Sequence, residues 1–110
     1  MAINNKKLAE IFYETAELLE IKGIAFKPRA YRKAAKTLEN LKEDVSLVRK
    51  EKGIKGLREM PGIGKSIAEK IEEYLKKGKI KYCEKLKEET AIRQIITCFF
   101  KTKGLSLAEI

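Results

Sequence analysis

The chain has no histidine and a single aspartate, Asp44, among its 110 residues. A Ser-His-Asp or Cys-His triad cannot be assembled from it, nor can a paired-aspartate site for two metal ions, so most hydrolase and polymerase chemistry is excluded. The two cysteines, Cys83 and Cys98, lack the close spacing and the histidine partners of a metal site. Both read as buried or half-buried small apolar residues, and a disulfide is not expected in a reducing compartment. Long apolar runs are missing too. The longest uncharged stretch, Gln94 to Phe100, is seven residues, whereas a membrane-spanning helix needs roughly 20 apolar ones. Met1-Ala2-Ile3-Asn4-Asn5 offers no apolar signal core. The expectation is an intracellular protein with no membrane partner, cytoplasmic at the nucleoid in a prokaryote and nuclear otherwise.

Positive charge is abundant. Twenty-five lysines and arginines against 16 acids give a formal charge of +9, which points to a polyanion partner through counterion release. Charge alone does not choose among DNA, RNA and an acidic membrane. The two prolines and seven glycines punctuate segments of helical periodicity, and no alternating strand pattern is present. Leu8, Ile11, Phe12, Thr15, Leu18 and Leu19 mark a first helix, with Asn4-Asn5 as its capping pair and a stop at Lys22-Gly23. Pro28 suits the first turn of a second helix, whose face Ala30, Ala34, Ala35, Leu38 and Leu41 define up to about Lys42. Asp44 can cap a third from Val45 to Lys52, ended by Gly53. The expected fold is all-α, a compact bundle of about five to six short helices on one core.

The segment Gly56-Leu57-Arg58-Glu59-Met60-Pro61-Gly62-Ile63-Gly64-Lys65-Ser66-Ile67-Ala68-Glu69-Lys70-Ile71 carries the chemistry. A short helix is stopped by proline and a new one starts after two glycines, which makes one helix-hairpin-helix motif. Without Cβ atoms, Gly62 and Gly64 can take conformations closed to other residues and let a phosphate oxygen reach main-chain N–H groups. Those groups open a helix, where donors lack partners and the dipole is positive. Lys65 adds charge at the mouth, while Ile63, Ile67, Ile71 and Leu75 anchor the motif to the core. Such a cradle contacts phosphates and not bases, so binding with little sequence preference and steep salt dependence is expected. A second basic surface joins Lys22, Lys27, Arg29, Arg32, Lys33 and Lys36, with no acid between Glu20 and Glu39. Arg29, Arg32, Lys33 and Lys36 share one face at helical spacing. Lys70 lies about 60° round its helix from Ile67, at the edge of the apolar stripe. Desolvation and neighbouring cations there favour a neutral, nucleophilic amine.

Two stretches, Phe26-Lys27-Pro28-Arg29-Ala30-Tyr31-Arg32-Lys33-Ala34-Ala35 and Met60 through Leu75 with Gly78, stand in an order and separation that resemble the N-terminal domain of family X DNA polymerases, the group that includes the polymerase beta lyase domain. The resemblance runs from about Leu8 to Leu86. It implies a helical bundle that binds the 5′-phosphate side of a DNA gap in DNA repair, base excision repair in particular. It also implies a monovalent cation, Na+ or K+, on the backbone carbonyls of Arg58, Met60 and Ile63, with no other cofactor required. In some members of that group the domain is a lyase whose lysine forms a Schiff base with C1′ of an abasic sugar. The matching position is Lys70, with Tyr31 and Glu69 as neighbours that orient the sugar or shuttle protons. On the same footing the DNA contacts are Lys27, Arg29, Arg32, Lys33, Gly62, Ile63, Gly64, Lys65 and Ser66.

The sequence departs from that pattern at Ser66, where polymerase beta has a phosphate-binding lysine, at Phe26, where a histidine is expected, and at Tyr82, which replaces a further lysine. Lys103-Gly104-Leu105-Ser106-Leu107-Ala108 is similar only to a degraded start of the second hairpin of those polymerases, and no catalytic palm follows. Nucleotidyl transfer by this chain alone is excluded. The expected division is residues 1–88 as the matching domain and 89–110 as an amphipathic helix and tail. The stripe Ile92, Ile95, Ile96, Phe99 and Phe100 either packs on the same domain or forms an interface, with a second copy or with a polymerase or repair partner. Three functions are compatible with these residues: a non-catalytic DNA-gripping module, a lyase acting through Lys70, and a basic protein-interaction module that recruits a separate factor.

Overall fold

A computed structural model describes the backbone of residues 3–102 and the side chains of residues 3–91. Five helices follow one another: α1 Ile3–Ile21, α2 Lys27–Asn40, α3 Val45–Glu59, α4 Lys65–Lys77 and α5 Lys81–Thr102. Among the described residues there is no strand, as the absence of alternating patterns leads one to expect. α1 is the central rod. Its buried stripe, Asn5, Leu8, Ala9, Phe12, Thr15, Ala16 and Leu19, recurs at three- and four-residue steps and packs on α2, α5 and α3. Ile11 and Leu18, expected on that stripe, lie half-buried at its edges, and the small Ala9 and Ala16 take the close-packed centre.

α1 ends where expected. The N–H of Ile24 donates to the Leu19 carbonyl at 3.0 Å and that of Gly23 to Glu20 at 2.9 Å, a pairing that satisfies the last carbonyls of the helix. The start of α1 differs from expectation. Asn4 and Asn5 lie inside the helix and do not cap it. The Asn5 side chain, fully buried, accepts from the Val45 N–H at 2.7 Å and donates to the Glu43 carbonyl at 2.8 Å. Asn4 donates to Asp44 Oδ1 at 3.1 Å. The pair therefore serves the start of α3, 40 residues away in sequence, where the Asp44 carboxylate also caps the Ser46 N–H at 2.9 Å. Local capping rules cannot anticipate a cap supplied by tertiary packing.

On α2 the buried face is Pro28, Tyr31, Ala34, Ala35 and Leu38. Tyr31 takes the place expected for Ala30, which is exposed; its ring meets Phe12 at 5.6 Å between centroids, an edge-tilted contact that fixes α2 on α1. α3 is broken at Gly53, whose φ of 67° and ψ of −163° interrupt the helix. This divides it into the expected Val45–Lys52 helix and a second short helix, up to Glu59, that leads into the hairpin. Leu57, Ile63, Ile67, Ala68 and Ile71 join the core from α3, the hairpin and α4, Ile80 from the α4–α5 connection, and Cys83 and Leu86 from α5. Leu75 is half-buried beside it. α5 continues without a break past residue 88. The side chains of Ile92 to Phe100, Cys98 among them, and the segment from Lys103 lie outside the described residues.

Candidate nucleic-acid interface

The connection between α3 and α4 is a tight turn. Pro61 cannot continue the α3 helix, and the Ile63 N–H closes the turn on the Met60 carbonyl at 3.1 Å. Gly62 has a φ of +76°, a left-handed backbone that costs other residues roughly 1–2 kcal/mol. A Cβ there would stand 2.7 Å from Lys33 Cγ, so the aliphatic stem of Lys33 rests on the bare face of this glycine. The Thr37 hydroxyl donates to the Pro61 carbonyl at 2.6 Å. Lys33 and Thr37 are one turn apart on α2, and together they seat the hairpin against that helix. Neither contact is visible in the sequence.

Gly64 is different. Its φ of −85° and ψ of −176° are extended backbone that any residue adopts, so the conformational reason anticipated for this glycine holds only at Gly62. A Cβ at Gly64 would meet nothing within 4 Å. It faces the space above the start of α4, where its absence keeps access open. The first intrahelical bond runs from the Ala68 N–H to the Gly64 carbonyl at 2.9 Å. The N–H groups of Lys65, Ser66 and Ile67 therefore precede the helical ladder, and Gly64 brings no side chain to satisfy them. Hydrogen bonds from such groups to an anion are worth about 1.5–3 kcal/mol each. The helix dipole adds about 0.3–1 kcal/mol, so the N–H groups dominate.

These groups open onto a cleft of about 390 Å³ lined by Lys27, Ala30, Tyr31, Gly62, Gly64, Lys65, Ser66, Ile67, Lys70 and Tyr82. α2 supplies one wall, the hairpin and α4 the floor, and Tyr82 of α5 the other wall. Lys70 Nζ donates to Ser66 Oγ at 3.0 Å and stands 4.9 Å from the Tyr82 ring centroid. Lys27 Nζ stands 5.9 Å from the same ring. Among the described residues neither ammonium, nor that of Lys65, is paired with a carboxylate. Uncompensated positive charge is thus concentrated where the free N–H groups point. Tyr31 is almost wholly buried; burial, then Cys83 and Tyr82, push its hydroxyl well above the usual phenol range, so it remains a proton-bearing donor. Cys83 is buried and free, its thiol pushed up by burial and eased back by a hydrogen bond with Thr15 and by nearby Lys70.

The other candidate residues are less tightly gathered. Glu69 is exposed on α4 and is absent from the cleft lining. Arg29, Arg32, Lys33 and Lys36 share one face of α2, as spacing led one to expect, and line a separate basic recess with Tyr13. Arg32 is paired with Glu20, and Tyr13, which shares that recess, donates to Glu39 at 2.5 Å. Phe26, in the position before Lys27, is 89% exposed. Among the described residues no group of histidine, cysteine, aspartate or glutamate side chains could hold a metal ion, and no helix is long and apolar enough to cross a membrane.

The sequence profile of the helix-hairpin-helix domain family matches residues 3–80, which spans α1 through the end of the α4–α5 connection. The chain belongs to this family. Helix-hairpin-helix domains generally bind DNA without sequence preference, and the cleft has the chemistry for it: main-chain N–H groups and lysines suited to phosphates, with little to read a base edge. A comparison with curated proteins gives no match. Ala30 and Tyr82, which line the cleft, and Thr37, which seats the hairpin, were not among the expected site residues, because each takes its place through packing and carries no local motif.

Proposed function

We propose that the chain grips the 5′-phosphate end of a DNA gap, as the resemblance to family X polymerase N-terminal domains implies, and removes a 5′-deoxyribose phosphate there as a repair lyase. The observation that carries this reading is the shared cleft. The unpaired N–H groups of α4 and the Lys70 amine open into the same space, and a 5′-deoxyribose phosphate carries its phosphate and its C1′ aldehyde on one sugar. With the phosphate on α4, Lys27 and Lys65, the Lys70 ammonium gives up a proton, its amine attacks the C1′ aldehyde to form a carbinolamine, and protonation of the carbinolamine hydroxyl lets water leave as the iminium forms. A proton then leaves C2′ to solvent and the C3′–O3′ bond breaks. The departing strand keeps its own phosphate, and water hydrolyses the imine to restore Lys70. Tyr31, held protonated, donates a hydrogen bond to the sugar. The resemblance assigns a monovalent cation to the backbone carbonyls of Arg58, Met60 and Ile63, and hard oxygen donors of this kind suit Na+ or K+.

Borohydride trapping on gapped DNA carrying a 5′-deoxyribose phosphate tests the chemistry. A covalent adduct is expected with the natural protein and none with Lys70→Ala. The Ser66 hydrogen bond and the Tyr82 ring favour a second reading, in which Lys70 serves as an ammonium for phosphate alone. Salt-dependent DNA binding with no adduct would establish that reading and end the lyase proposal.

A further inference from the structure

Tyr82 borders two cavities. Besides closing the α4 cleft, its ring lines a smaller recess of about 250 Å³ with Lys22, Ile24, Lys85, Leu86 and Glu89. The two clefts therefore adjoin across one aromatic ring. Leu86 is buried and Ile24 half-buried, which gives the recess an apolar floor. Its rim carries ammonium donors on Lys22 and Lys85 and a carboxylate acceptor on Glu89, with the Lys22–Glu89 pair at 2.7 Å tying the turn after α1 to α5.

We propose that this recess is a slot for one unpaired nucleobase, the one borne by an intact 5′-terminal nucleotide when that nucleotide, in place of an abasic sugar, has its phosphate on α4. A base is a flat apolar plate with donors and acceptors along its edge, and it matches a slot with an aromatic wall, an aliphatic floor and a polar rim. The volume is smaller than that of sites for drug-sized ligands and suits a single ring system. Continuity with the phosphate cradle selects the occupant, since a base attached to the gripped nucleotide reaches the neighbouring recess with no additional chain. Charge agrees as well. Lys27 and Lys70 crowd the same ring without carboxylate partners, and a phosphate between them offsets their repulsion while the base covers the ring. A base in this slot cannot be paired with the template, so the protein prefers DNA whose 5′-terminal nucleotide at the gap is frayed or mismatched. The inference rests on the α4 cleft as the phosphate cradle.

The test uses gapped duplexes with 2-aminopurine as the 5′-terminal, 5′-phosphorylated nucleotide of the downstream strand, either paired or mismatched with the template. Stacking of one base on an aromatic side chain is worth about tenfold in affinity. The mismatched end is expected to bind about tenfold more tightly than the paired one, with the 2-aminopurine fluorescence quenched on binding. Tyr82→Leu brings that ratio close to one and Tyr82→Phe preserves it. A misfolded variant would weaken both duplexes equally, and the ratio and quenching of the natural protein need no variant at all. Equal affinity for the two duplexes without quenching, in a protein whose binding is still weakened by Gly64→Val, overturns the slot and leaves the cradle standing. Binding indifferent to Gly64→Val overturns the cradle and the slot with it.

Discussion

The two hairpin glycines, two residues apart in sequence, separate folding from binding when substituted singly. At Gly62 the φ of +76° costs an alanine roughly 1–2 kcal/mol, and its methyl would lie 2.7 Å from Lys33 Cγ and 3.0 Å from Cδ. The near end of that side chain must shift, so Gly62→Ala is expected to lose about 2 kcal/mol. That corresponds to a fall in Tm of about 10 °C for a domain of this size. Gly64→Val meets neither obstacle, because the backbone is extended and nothing lies within 4 Å. Its cost is that of a poorer helix cap, about 0.5–1 kcal/mol. The valine side chain, however, occupies the approach to the Lys65, Ser66 and Ile67 N–H groups. Loss of even one charge-assisted hydrogen bond is worth about tenfold in affinity. Thermal unfolding by circular dichroism and anisotropy titration with gapped DNA read the two effects separately. A Gly64→Val protein that unfolds near the natural temperature and binds DNA undiminished would refute the reasoning.

Other outcomes follow from the same contacts. Asn5→Leu strands the Val45 N–H and the Glu43 carbonyl in the core, and urea unfolding should show a loss of about 2–4 kcal/mol. On a log–log plot of DNA affinity against salt, Lys27→Ala and Lys65→Ala should each lower the slope by about one phosphate contact. Lys87→Ala, whose amine pairs with Glu14 at 3.3 Å on α1, should leave the slope unchanged. Burial raises the Asp44 carboxyl, but hydrogen bonds from Ser46 and then Asn4 outweigh it and hold it below its ordinary value. Its stabilisation is therefore full above the unfolded pKa of about 4 and is lost as pH falls through the lower folded value. Asp44→Ala should lower Tm at pH 7 and converge with the natural protein in strong acid.

Much of the fold was legible because helical periodicity and breakers act locally. The stripe from Leu8 to Leu19, the stop at Gly23, the Asp44 cap and the break at Gly53 all rest on interactions within a few residues. The hairpin was legible for a sharper reason: proline, two glycines and a lysine in five positions leave few structures open. What escaped notice depends on chain segments far apart. Asn5 caps a helix that begins 40 residues later. Tyr31 displaces Ala30 from the buried face because a ring is needed against Phe12, and Gly64 owes its identity to empty space that only the folded cleft reveals. Tyr82 stood out merely as a replaced lysine until α5 brought it over Lys70.

The central claim is that the opening turn of α4 holds a DNA phosphate. Amide chemical shifts of the protein, followed while gapped DNA with and without a 5′-phosphate is added, test it most directly. The account predicts large, phosphate-dependent shifts at Lys65, Ser66 and Ile67, with smaller ones along α2. Shifts gathered on α2 alone, or identical for both DNAs, would contradict it.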